Sequence, residues 1–127
     1  MVMKRVMVSV VAVAVLAGMA AMLRAQDAAK VDAKHYTVMF ENDQVRVLKA
    51  HYGPGEKSVM HSHPNAVAVF LNDGKGKFNF PDGTSKDVIM KAGEAMWNDA
   101  VVHLPENTGD KAFEVIVVEL KTKAAAK

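Results

Sequence analysis

From Tyr36 to Leu120 the chain is punctuated by turn residues at short, regular intervals, and this limits the fold more than any other feature. Between the turns the apolar residues either alternate or run in brief blocks. "QVRVLKAHY" (44–52) alternates Val45 and Val47 against Gln44 and Arg46, the period of a strand with one buried face. "AVAVFL" (66–71) is a continuous apolar run, suited to a strand covered on both faces. "YTVMF" (36–40), "AMWN" (95–98) and the β-branched "AFEVIVVEL" (112–120) read as further strands. "SKDVIM" (85–90) follows "FNF" (78–80) across the loop "PDGT" (81–84), which makes a hairpin, and "NDGKGK" (72–77) reads as a turn. No stretch of this region carries a convincing amphipathic helical pattern. About eight short strands at this spacing predict an all-β sandwich or barrel. A region of this length can close a modest core.

The ends differ from this middle. "MVMKR" is basic, Val6 to Leu23 contains no charge, and the small residue Ala25 precedes a polar segment. That is the order of a secretory signal peptide over residues 1–25, with cleavage expected after Ala25. The apolar run also approaches membrane-spanning length, so an uncleaved anchor over 6–23 is the alternative. Either reading exports the domain, to the periplasm in the first case. Residues 26–35 are polar and rich in Ala and Lys and read as a linker, with His35 exposed in it; residues 36–120 form the domain and 121–127 a frayed tail. With no cysteine, no disulfide supports the fold.

Charge excludes one class of partner. The whole chain has a formal net charge of +2, but Lys4, Arg5 and Arg24 lie in the leader. Residues 26–127 keep 13 cationic against 14 acidic side chains, a net of −1, without a basic stripe for nucleic acid.

The chemistry-bearing residues are histidines. His61 and His63 are two apart, so an extended backbone points both to the same face of a sheet. His103 lies 40 residues beyond His63 and can meet them inside a closed β fold. Neutral imidazoles gathered in this way suit iron, zinc, copper, nickel or manganese, and buried imidazoles need partners in any case. His51 reads as strand filler. Asn107 reads as a turn residue, although it could orient the loop carrying His103. Glu94 has a turn role, and Glu106 and Asp110 read as solvated. Trp97, Phe70 and Phe78 read as core, and Met60 and Met96 as packing.

The spacing Gly55, five residues, His61, one residue, His63, three residues, Val67, six residues, Gly74 resembles the first cupin motif, with Val67 where that motif has a glutamate. The second motif is matched by Gly93, His103 and Asn107, with one residue missing between Gly93 and His103 and with Asp99 and Val101 near its proline and glycine. The resemblance covers roughly residues 36–120 and implies a double-stranded β-helix, or jelly roll. It implies a divalent metal at the barrel mouth on His61, His63 and His103, without a carboxylate, as in the three-histidine thiol and diketone dioxygenases of the family. Three neutral ligands leave the metal's charge uncompensated, which favours an anionic or enolisable small molecule and leaves coordination positions open. The functional expectation is therefore a metal-dependent, oxygenase-like enzyme. Its rivals are a small-ligand-binding cupin with a degenerate or empty metal site, and a stabilising or interaction role with residual histidines. A homodimer paired through edge strands is a further expectation of the resemblance.

Overall fold

The computed structural model describes residues 26–122, so the leader 1–25, with its signal-peptide and anchor readings, lies outside the described residues. One short helix, α1 (Ala28–Val31), precedes nine strands: β1 (Tyr36–Glu41), β2 (Val45–Tyr52), β3 (His61–His63), β4 (Ala66–Phe70), β5 (Gly74–Asn79), β6 (Ser85–Met90), β7 (Ala95–Asn98), β8 (Val101–Asn107) and β9 (Phe113–Leu120). They form two antiparallel sheets, one in the order β1-β2-β9-β4-β7 and the other β3-β8-β5-β6. This is the all-β fold that the strand pattern predicts, in the jelly-roll form that the cupin resemblance implies. On β2 and β4 every second side chain turns inward, Leu48, Ala50 and Tyr52 on the one and Ala66, Ala68 and Phe70 on the other. This corrects the sequence reading: Val45 and Val47 fall on the outer face, and the run 66–71 is buried on one face rather than both. The core lies between the sheets, where these residues meet Val88, Met90, Phe113 and Val115.

The predicted hairpin β5–β6 is present, with Asn79 opposite Ser85 and Gly83 at a φ of 87° in its loop. The turn expected over 72–77 is a correction, because Gly74 to Lys77 already belong to β5. These glycines serve close packing rather than a bend. A Cβ on Gly74 would lie 3.0 Å from the Cβ of Phe113, and one on Gly76 would lie 3.0 Å from Met90 and 3.1 Å from the Glu106 carbonyl oxygen. β8 escaped the reading of the sequence, because Pro105 interrupts its strand pattern. β8 pairs with β3 through residues 101–103 and with β5 through 104–107, and Pro105 falls just past the changeover.

The segment 26–35 is no loose linker. Asp27 caps α1 by accepting from the Ala29 amide (2.9 Å), and Ala28 is fully buried. Asp27 also bridges to Ser62, and the Ser62 amide donates to the Gln26 carbonyl. His35, expected in solvent, is buried and stacks on Tyr52 with ring centroids 4.3 Å apart. Its Nδ1 is hydrogen-bonded to Asp32 (2.8 Å) and one ring face is covered by the phenol, which helps a polar residue to remain inside. At the other end Lys121 is tied to the Gln44 carbonyl through its amide and to Glu41 through its ammonium, so the tail begins after it.

Candidate metal centre

His61 and His63 share a face because β3 is extended, and antiparallel pairing sets His103 of β8 directly opposite His61. All three side chains are buried, and each offers a ring nitrogen within 4.8 Å of those of the others. The rings stand almost perpendicular, with centroids 4.8 to 5.3 Å apart. Edge-to-face contact of this kind also suits ring packing; what points to a shared centre is the closeness of the ring nitrogens.

Hydrogen bonds decide which nitrogen of each ring is free. His63 Nδ1 lies 2.6 Å from Glu119 Oε2, a carboxylate that only accepts, so Nδ1 carries the proton and Nε2 keeps a lone pair. His61 Nδ1 donates toward the Val59 carbonyl (2.9 Å) and Ser58 Oγ (2.9 Å), while Ser58 gives its own proton to Asp32 (2.6 Å). His61 Nε2 is then buried without a partner, and both ring nitrogens of His103 are in the same condition. Orphaned buried nitrogens of this kind each cost about 1–3 kcal/mol if nothing satisfies them. A divalent cation would satisfy His61 Nε2 and one nitrogen of His103 together, with His63 Nε2 beside them, so the donor set fits a metal. Burial also keeps His61 and His103 neutral: desolvation, aided by the neighbouring His63, holds His61 down at about 4 and His103 at about 2.

Behind the ligands stands an outer shell that was not legible as such. Glu119, which holds His63, is itself gripped by Arg46 (2.8 Å from Nε), and Arg46 forks onto both oxygens of Asp27. Asp32 accepts from Ser58 and from His35. The segment read as a linker therefore supplies both terminal carboxylates, one behind each ligand of β3. The Arg46 and Glu119 pairing was concealed by 73 residues of sequence separation.

The cavity in front of the histidines is about 60 Å3. His63, His103 and Tyr36 line it, with Phe70, Phe78 and Phe113 among its walls, while His61 is buried behind them. Phe78 packs its edge on His103 (4.5 Å). Ala66 and Ala68 of β4 line the cavity and Val67 does not, since successive strand residues point to opposite faces. The motif's carboxylate is missing, but on the inner face its place is taken by alanine rather than Val67. Trp97, expected in the core, is 52% exposed on the outer face of β7, opposite Val67. Glu106, expected in solvent, lines the cavity and pairs with Lys57 at 3.7 Å. His51 faces outward beside Glu114, as strand filler should. Buried Asn107 both makes the turn and ties it down: it accepts from the Gly109 amide and donates to the Tyr52 and Lys111 carbonyls.

Residues 48–119, more than half of the chain, match the family described as "Cupin domain". No curated protein matches the chain. Among solved structures it is similar to a cupin domain from Bordetella pertussis Tohama I, with a TM-score of 0.64 and 26% identity over 68% of this chain and 92% of that one. It is also similar to an RmlC-like cupin family protein from Methanocaldococcus jannaschii, whose double-stranded β-helix gives a TM-score of 0.53 at 18% identity, covering 70% of this chain and 83% of that one. A cupin superfamily protein from Desulfitobacterium hafniense DCB-2 aligns with a TM-score of 0.51 at 13% identity, over 67% and 74% of the two chains.

Proposed function

The chain belongs to the cupin family, and from that premise we propose that it holds a divalent metal on His61, His63 and His103 and works as a small, oxygenase-like enzyme on a small anionic or enolisable molecule. The observation that carries this reading is the set of buried, unpartnered imidazole nitrogens converging at the head of an apolar cavity. When bound, the ion supplies Lewis-acid polarisation of a chelated oxygen, and a redox-active ion adds an electron source for dioxygen. The protein's own residues orient and exclude. Glu119 and the Ser58–Asp32 pair fix the ring planes and tautomers of His63 and His61, and the apolar walls keep bulk water from the reacting head.

Elemental analysis of the purified protein, expressed with iron, zinc, copper, nickel and manganese supplied, tests the site. About one equivalent of metal is expected, falling below about a tenth in His61→Ala and His103→Ala and unchanged in His51→Ala. Less than a tenth of an equivalent in the unaltered protein refutes the reading.

A second reading, a non-catalytic ligand binder, is favoured by one specific observation. Among the described residues the one carboxylate lining the cavity, Glu106, is engaged by Lys57 and Asn79, so none of these side chains is placed there as a free carboxylate base. Oxygen uptake on addition of enolisable diketones or thiols separates the two, since a binder consumes none. We also propose that the domain acts outside the cytoplasm, carried by the leader. Amino-terminal sequencing of the exported protein should begin at Gln26, and a retained Met1 would make the leader an anchor.

A further inference from the structure

An uncompensated metal favours an anionic chelating head, but the cavity beyond it sets a second condition. Among the described residues that line it there is no lysine or arginine. Ala50, Ala66 and Ala68 leave the space open, and Phe70, Met90 and Met96 help to enclose it. Its partly exposed polar group is Asn98, and its one charge, Glu106, is negative and already paired. The nearby cation Arg46 is committed to Asp27 and Glu119. A carboxylate on the body of a ligand would therefore lose its hydration without gaining a partner, and an ammonium would find only a carboxylate that Lys57 already holds. A cavity of about 60 Å3 has room for about four to six water-sized groups, so the body must also be short.

We infer that the site takes compact molecules with one chelating head and an uncharged, apolar body of a few atoms, and that it rejects dicarboxylates, molecules with an ammonium on the tail and long chains. This rests on the metal reading above and narrows its substrate class from anionic or enolisable molecules to those whose only charge is the head itself.

The test is a matched series of hydroxamates titrated into the Co(II)-loaded protein and followed by the visible absorption of the metal. All share one head. Propionohydroxamate carries a neutral tail, 3-carboxypropionohydroxamate an anionic tail, 3-aminopropionohydroxamate a cationic tail, and decanohydroxamate a long one. The neutral short tail is expected to bind at least about thirtyfold more tightly than each of the others. Charged-tail affinities within about threefold of the neutral one would overturn the inference while leaving the metal reading intact.

A metal-free readout keeps the two separable. In the apoprotein the methyl resonances of Ala50, Ala66 and Ala68 should shift on titration with butanone and stay in place with acetoacetate at equal concentration. If Co(II) fails to bind, the metal reading falls, and this second titration decides the cavity's preference alone. Equal shifts with the two compounds reject it.

Discussion

At the scale of single residues, the telling pair is Val67 and Ala68. Val67 sits where the motif spacing places a glutamate, yet the strand turns it outward and gives the inner face to Ala68. Ala68→Glu should therefore tighten Co(II) binding in a competitive chelator assay, whereas Val67→Glu should leave it unchanged; the reverse order would put the missing carboxylate back at Val67. The outer shell predicts a second effect. Glu119→Gln keeps the shape of the side chain but weakens the acceptor behind His63, and should cost about 10- to 100-fold in metal affinity by the same assay.

Protonation gives a third prediction at this scale. His61 and His103 are held below their ordinary value of 6.5 by burial, so the unfolded chain takes up more protons than the folded one as the pH falls. Their contribution to the stability of the metal-free protein is fully present above about pH 6.5 and is lost on acidification, by up to about 1.4 kcal/mol per pH unit for each histidine. Thermal melts in chelator should therefore show the melting temperature falling from pH 7 to pH 4. A flat profile would mean that the rings are not buried as neutral groups.

At the scale of elements, β5 shows how a local reading goes astray. Two glycines within "NDGKGK" carry every mark of a turn, and a turn is present, but it ends at Asp73. Gly74 and Gly76 are strand residues against which Phe113 presses from the facing sheet and Met90 from the neighbouring strand. Gly76→Ala should cost about 1–3 kcal/mol in denaturant unfolding, because the added methyl meets a backbone carbonyl that cannot yield. Gly55→Ala tests the other use of glycine. Nothing lies within 4 Å of its Cβ position, and only its φ of 74° resists the change. The site itself is an element-scale product. H-x-H on an extended strand could be read directly, and His103 could be named as the third ligand, but its position opposite His61 belongs to the β3–β8 pairing.

At the scale of the molecule, the outer face of the larger sheet carries an apolar row across all five strands: Phe40, Val47, Val118, Val67 and Trp97. Phe40 and Trp97 are each more than half exposed. The Lys49–Glu114 ion pair lies toward its rim. A second copy related by a twofold axis would meet this apolar centre with its own and set polar rim against polar rim. We propose that the homodimer, if formed through this face rather than through a strand edge, is broken by Phe40→Asp with Trp97→Asp. Sedimentation velocity should show a dimer for the unaltered protein and a monomer for the double variant. A monomeric parent, or a dimer that survives the double change, rules out this face.

The same scale separates what each level of description decides. Strand periodicity, turn residues and the spacing of three histidines are local, so the all-β class and the candidate ligands follow from the sequence by itself, and the jelly roll from its resemblance to the cupins. Which way a side chain points, and what it touches across the barrel, depends on register and closure between distant segments. Only the tertiary structure could turn Trp97 and Val67 outward and assign the inner face to Ala68. Only it could bring Glu119 and Arg46 behind His63 and fold residues 26–35 against the site. That segment looked like a linker because its charges had no visible partners along the chain. In the folded protein Asp27 and Asp32 find theirs in Arg46 and Ser58, and the partnership explains how so polar a segment can dock against the buried histidines.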